Sequence, residues 1–246
     1  PDPMTLSRLC LLALLVFSPL SGWAVEPEKT RNIDPWEPVN RKIFAFNDAL
    51  DRWVLRPTAV GYRYVTPDFA EQGISNFIVN IYEFNSFFNS LLQGEFRGAT
   101  HAGGRFLVNS TLGLLGFFDV ATPMGITPFR ADFGQTLAVW GMESGPYVML
   151  PVFGPKTLRS SIGYFADTYT SIPYILNENT WAWGFWTVEL IDYRARLLDS
   201  DDLITGDRYI FLRDAYIQRR EAFVKRGAVD DSFSDFEKDS EDWEEF

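Results

Sequence analysis

The sequence predicts an all-α protein built as a bundle of amphipathic helices, and three observations predict it. Apolar residues recur at helical spacing along most of the chain. Two of the helix starts carry a polar residue followed by proline. No window past Ala24 reaches about 18 consecutive apolar residues, whereas a helix crossing a bilayer needs roughly 20 predominantly apolar residues. Aromatic residues make up 16% of the chain, 22 Phe, 10 Tyr and 8 Trp, and such flat side chains favour interfaces.

The first element is an export signal over residues 1–24. Met4 opens a short segment with Arg8, an apolar run follows from Leu9 to Phe17, and Gly22-Trp23-Ala24 supplies small residues for cleavage. Residues Pro1 to Pro3 stand ahead of that methionine and are extra to the signal. Cys10 is preceded by Arg8 and Leu9 rather than by an apolar stretch and small residues, so lipidation at Cys10 is not expected. Without it the exported chain has no cysteine for disulfides, thiol chemistry or metal ligation. Residues 25–33 form a linker.

A helix then opens at Asp34-Pro35-Trp36-Glu37, with a capping residue, a proline and an acid. Val39, Ile43, Phe46, Leu50 and Trp53 mark one of its faces, and Pro57 is expected to stop it. Val60 to Val65 is a short aromatic segment. Thr66-Pro67 starts a second helix, with an apolar stripe through Phe69, Gly73, Phe77, Ile81, Phe84, Phe88 and Leu91, and with Asn76, Asn80 and Asn89 elsewhere around it. A third runs from about Phe96 to Ser110.

The pattern then breaks. From Thr111 to Gly145 glycines punctuate the chain around the cluster Leu112, Leu114, Leu115, Phe117 and Phe118, which reads as a Gly-rich hairpin, apolar on its arms and flexible at its ends. Tyr147 to Val152 reads as a short extended piece. Helical spacing returns with Leu158, Ile162, Phe165 and Tyr169, and with Trp186, Leu190, Tyr193 and Leu197. A last helix starts near Asp207, carries Tyr209, Leu212, Tyr216 and Phe223, and ends at Lys225-Arg226-Gly227. Residues 34–227 thus make one helical domain, and 228–246 an acidic, disordered tail.

That tail holds much of the net charge of −11: residues 230–246 contribute −8, leaving −3 elsewhere. No Lys/Arg-rich stripe is present, which excludes nucleic acid as a partner. No catalytic residues, metal site or cofactor motif is expected. His101 is the one histidine, Ser144 lacks the nucleophile-elbow spacing, and no phosphate-cradling glycine loop follows a strand. Asp199, Asp201 and Asp202 read as helix-terminating residues, with a cation site or an acid pair as the alternative. Each aromatic stripe has two readings, a buried core or a face resting in lipid. Their number, the closeness of Trp181, Trp183 and Trp186, and the apolar hairpin favour the second.

Several segments, in order, resemble the MlaA/VacJ family. They are Asp34 to Glu37 through Asn40-Arg41, Phe44 to Asn47, Gly73 to Phe77, Arg105 to Gly113 with Gly116 to Ala121, Asp132 to Leu137, Gly145 to Pro151, and Arg194 to Asp201. The resemblance implies a ring-shaped helical bundle lying in the periplasm-facing leaflet of the outer membrane around an amphipathic passage. It further implies intermembrane phospholipid transport: mislocalised glycerophospholipids leave the outer leaflet and pass to a soluble periplasmic lipid carrier of MlaC type, beside a trimeric outer-membrane porin. On the matched segments, Asn40, Phe44 and Asn47 are expected to line the lipid passage. Gly141 and Gly145 are expected to hinge the hairpin, with simple helix termination as the alternative for both glycines. Two other classes stand as rivals, a periplasmic lipid hydrolase using Ser144 or His101 and a porin scaffold that moves no lipid.

Overall fold

Helix α1 (Glu37–Leu50) shows at once how the chain departs from simple punctuation. In the computed structural model, which describes residues 32–176, 180–203 and 206–225, Trp36 rather than Asp34 occupies the cap position, with no side-chain cap bond. Asp34 is buried instead, and its carboxylate accepts from Asn40 Nδ2 at 2.8 Å and from the Tyr209 hydroxyl. Nor does Pro57 end the helix. A π-helical turn (Asp51–Leu55) passes directly into α2 (Arg56–Val65), where Pro57 lies in the first turn. Proline lacks an N–H and its ring crowds the carbonyl four residues back; the wider π turn, closed by Arg56 N–H on the Asp51 carbonyl, lets the chain continue. The expected aromatic segment from Val60 to Val65 is therefore helix.

Helices α3 (Asp68–Leu92) and α4 (Phe96–Thr111) are joined by a three-residue turn and pack antiparallel, with Asn80 against Ser110, Glu83 against Arg105 and Phe84 against Phe106. The glycine-punctuated stretch after them runs as successive turns over residues 112–132, then α5 (Phe133–Val139). Leu114, Leu115 and Gly116 all take positive φ, which no helix tolerates.

Strands β1 (Tyr147–Leu150) and β2 (Gly154–Thr157) form an antiparallel hairpin in register Tyr147↔Thr157 to Leu150↔Gly154, so the extended piece is one arm of a pair. β2 feeds α6 (Leu158–Tyr169), whose N-terminus Thr157 and Ser160 close as a capping box. Helices α5 and α6 cross at glycines: a Cβ on Gly163 would stand 2.2 Å from Gly134 N. Helix α7 (Ile172–Leu176), α8 (Thr180–Arg196), a 3₁₀ segment (Leu198–Leu203) and α9 (Arg208–Val224) follow, the last capped by Asp207 through Tyr209 and Ile210 N–H.

The chain is thus predominantly helical, as expected, with one small hairpin inserted. Its apolar core is small. Tyr147 and Met149 of β1 meet Tyr209 of α9, and Ile43, Phe44, Tyr216 and Ile217 pack around them. From Ile33 on, the described residues belong to one compact unit. The export signal with Cys10, residues 25–31 of the linker, Gly227 and the acidic tail lie outside the described residues.

Candidate functional site

The distribution of polarity is inverted relative to a water-soluble bundle. Along α3 the buried residues include Ser75, Asn80, Glu83, Asn85, Ser86, Asn89 and Ser90, while Phe69, Phe88, Leu91 and Leu92 are exposed. The asparagines placed "elsewhere" by the stripe are the inward face. Val39 and Phe46 on α1 and Trp53 in the π turn after it point outward where the stripe suggested a buried face. Trp53 is 78% exposed, Tyr64 90%, Phe69 70% and Phe96 72%. Scattered apolar residues on a surface need no explanation; aromatic exposure on this scale, over a polar interior, does. Among the described residues no helix is long and apolar enough to cross a membrane.

The polar interior is specific. Arg105 on α4 donates to Glu83 Oε1 at 2.8 Å, to Asp119 at 3.1 Å, to Thr122 Oγ1 at 2.9 Å and to the Ile126 carbonyl at 2.8 Å. Asn109, one turn on, donates to Asp119 and accepts from Val120 and Ala121 N–H. These two side chains replace the backbone bonds that the 112–132 segment lacks. They hold it while Leu112, Leu114, Leu115, Phe118 and Met124 face outward. Burial pushes the Glu83 carboxyl up, opposed by the Arg105 guanidinium.

A second grouping gathers ionisable and aromatic side chains from elements far apart in sequence. The Tyr82 hydroxyl on α3 donates to Glu189 on α8 at 2.7 Å. Tyr164 on α6 lies under Lys156 of β2, whose Nζ is 4.8 Å from the ring centroid. Phe153 of the hairpin turn packs tilted against Tyr164 and edgewise against Trp186, and Phe185 lies against Phe77 and Tyr82. Tyr82, Lys156, Tyr164, Phe185, Trp186 and Glu189 are all partly buried. Burial pushes the Lys156 ammonium down, helped by Arg220, against the pull of Asp132 and Glu189; burial pushes Glu189 up. The result is a patch with cation, carboxylate, hydroxyls and aromatic faces side by side. Sequence reasoning passed over it. The available signal was a charge in an otherwise apolar run, Lys156 after Phe153-Gly154-Pro155 and Glu189 between Val188 and Leu190.

The residues expected to line a lipid passage have other engagements. Asn40 donates to the Tyr147 carbonyl at 3.2 Å and accepts from Met149 N–H at 2.9 Å. Asn47, two turns on, donates to the Leu150 carbonyl at 2.9 Å and accepts from Val152 N–H at 2.8 Å. Together with the Ile33 carbonyl on Tyr147 N–H, the two amides cover the free edge of β1 as a neighbouring strand would. Phe44 packs edge-on against Tyr209 at 5.7 Å. Gly141 and Gly145 have φ of +91° and +68°. Gly141 closes α5: its N–H meets the Ala138 carbonyl and Met142 N–H meets that of Leu137, a Schellman arrangement that glycine suits.

The other candidates are also placed. His101 Nδ1 sits 3.1 Å from Thr127 Oγ1, whereas Ser144 borders a small hollow with Thr157, Arg159 and Arg220; no hydrogen bond joins the two. Asp199 pairs with Arg63, and Asp201 with Arg56 and Arg194, so arginines rather than a cation answer both charges. The side chain of Asp202 lies outside the described residues. Among those residues no group of three or more His, Cys, Asp or Glu side chains is placed to hold a metal ion.

Comparison with known proteins is consistent across sequence and fold. The family described as "MlaA lipoprotein" matches residues 32–223. The "Intermembrane phospholipid transport system lipoprotein MlaA" of Escherichia coli (strain K12) is 40% identical over 205 residues, 80% of each chain. The protein of the same name from Haemophilus influenzae is 32% identical over 244 residues, covering 92% of this chain and 94% of the relative. A solved structure described as "Structural basis for maintenance of bacterial outer membrane lipid asymmetry" superposes with a TM-score of 0.67 at 43% identity, over 78% of this chain and 98% of the other.

Proposed function

Since this chain belongs to the MlaA family, we propose that it is an outer-membrane component of intermembrane phospholipid transport. In this reading it rests sideways in the periplasm-facing leaflet. It takes mislocalised glycerophospholipids from the outer leaflet and passes them to a soluble periplasmic carrier, beside a trimeric porin.

The observation that carries the reading is the inverted polarity. Burying an aromatic side chain is worth about 1.5–3 kcal/mol, so Trp53, Tyr64, Phe69 and Phe96 alone are worth on the order of 6 kcal/mol in lipid, about the pull of one myristoyl chain. The other exposed apolar side chains add to this, which suits a protein that lies in a leaflet without spanning it. A phospholipid has a charged head and apolar tails, so its route must offer both kinds of surface at once. The Tyr82, Lys156, Tyr164 and Glu189 grouping beside Phe153, Phe185 and Trp186 offers both. Asn40, Phe44 and Asn47 then border the passage by fixing β1, the strand that carries the hairpin, rather than by touching lipid through free amides. The positive φ of Gly141 and Gly145, on either side of the link from α5 to β1, suits a hinge there.

Outer-leaflet phospholipid in a deletion strain tests the proposal. It should rise, and return to normal with the full gene; an unchanged level with normal porin would leave a scaffold that moves no lipid. Extraction of membranes is the companion test, because release by high salt alone would contradict residence in the leaflet. Gly141→Ala, which costs about 1 kcal/mol at positive φ, tests the hinge: lipid asymmetry should weaken while the protein still accumulates in the membrane.

A further inference from the structure

We propose that Lys156 is the cationic contact for the phosphodiester of a glycerophospholipid in transit, with Phe153, Phe185 and Trp186 as the apolar surface beside it. This rests on the transport reading above and names the group within it that reads the headgroup.

Lys156 is a partly buried ammonium with no carboxylate at ion-pair distance among the described residues. Its close partner is the face of Tyr164. A charge taken from water normally gains a partner of opposite sign, because desolvation otherwise disfavours it. The neighbouring charges do not supply one. Asp132 is held by both terminal nitrogens of Arg220 at 2.5 and 2.8 Å. Glu189 is engaged by the Tyr82 hydroxyl. Arg159, three residues further along the chain, donates to the Met142 carbonyl. Among the described residues of this grouping, Lys156 is the charged member not engaged in a hydrogen bond or an ion pair.

A phosphodiester monoanion answers that ammonium. Its oxygens accept from an ammonium with little demand on direction, and lysine acts as a point charge on a flexible stem that can follow a moving headgroup. The aromatic side chains around it suit the glycerol and the first methylenes of the acyl chains. The register of the hairpin places Lys156 opposite Val148 and next to Thr157, the cap of α6, so the base of its stem is held by two elements.

The test uses the full chain purified in detergent, exposed to vesicles doped with either phosphatidylglycerol or a diacylglycerol of the same acyl chains, with co-purifying lipid quantified. Wild type should retain the phosphatidylglycerol over the diacylglycerol by roughly ten- to a hundredfold, the worth of a charge-assisted hydrogen bond. Lys156→Met keeps the apolar stem over Tyr164 and should abolish that preference while leaving the melting profile unchanged; Lys156→Arg should keep most of it. If Lys156→Met retains phosphatidylglycerol as wild type does, the assignment is wrong and transport stands. If wild type retains neither lipid, the transport reading fails with it. Displacement of the lipid by inorganic phosphate would mean that the site takes any phosphate anion, and the lipid assignment would fall.

Discussion

Asn40 and Asn47 show how one residue type does two jobs according to its surroundings. Both amides bridge a carbonyl and an N–H of the chain from Tyr147 to Val152, yet Asn40 is 2% exposed and Asn47 is partly open. Water can replace Asn47 but not Asn40. Asn40→Ala leaves the Tyr147 carbonyl and Met149 N–H without partners and should cost about 3 kcal/mol, against about 1 kcal/mol for Asn47→Ala. Denaturation in detergent measures the difference, and equal losses would contradict the clamp. The sequence marked both residues as special through the family resemblance, but it could not assign their partners. Those partners are backbone groups about a hundred residues away, invisible to local periodicity.

Among the elements, the turns over residues 112–132 depend most on one side chain. Arg105 is 2% exposed and makes four polar contacts, three of them to that segment. Removing one partner of a buried ion pair costs about 3–5 kcal/mol. Arg105→Ala should therefore undock the segment, and limited proteolysis should cut it first. The same segment holds Leu114 and Leu115 at positive φ, which costs about 1–2 kcal/mol per residue. Both leucines are exposed, so the strain serves no packing within the chain. Leu115→Gly should raise stability in detergent while weakening partition into vesicles; loss of both together would tie the leucine to folding alone. A further joint lies where Asp167 on α6 accepts from Asn89 on α3 and from Phe133 N–H at the start of α5, each at 2.8 Å. Burial pushes this carboxyl up to about 6 from its ordinary 3.8. The folded chain then binds the proton more tightly than the unfolded one. This contribution to stability is full below about pH 4 and is lost as pH rises through about 6. The melting midpoint should fall across that window, and Asp167→Asn should flatten the fall.

Over the whole molecule the governing feature is which side of each helix faces inward. Helical spacing is a local property, and it was legible: the helices over Phe96–Thr111, Leu158–Tyr169 and Arg208–Val224 stand close to where periodicity put them, and Asp207 caps the last of them as expected. The continuation of helix past Pro57 by way of the π turn before it was not, because proline punctuation is a tendency that one wide turn can absorb. Nor was the grouping of Tyr82, Lys156, Tyr164 and Glu189, whose members come from four elements.

The sequence by itself determined the helical class, the order of most elements and the family, because backbone preference, apolar spacing and motif order are all written along the chain. Only the tertiary structure decided that the asparagines and the Glu83–Arg105 pair turn inward while Val39, Phe46, Trp53 and Phe69 turn outward. Periodicity separates two faces of a helix but does not say which one meets solvent. In lipid the usual answer reverses, since apolar surface gains nothing by hiding and polar groups must find one another.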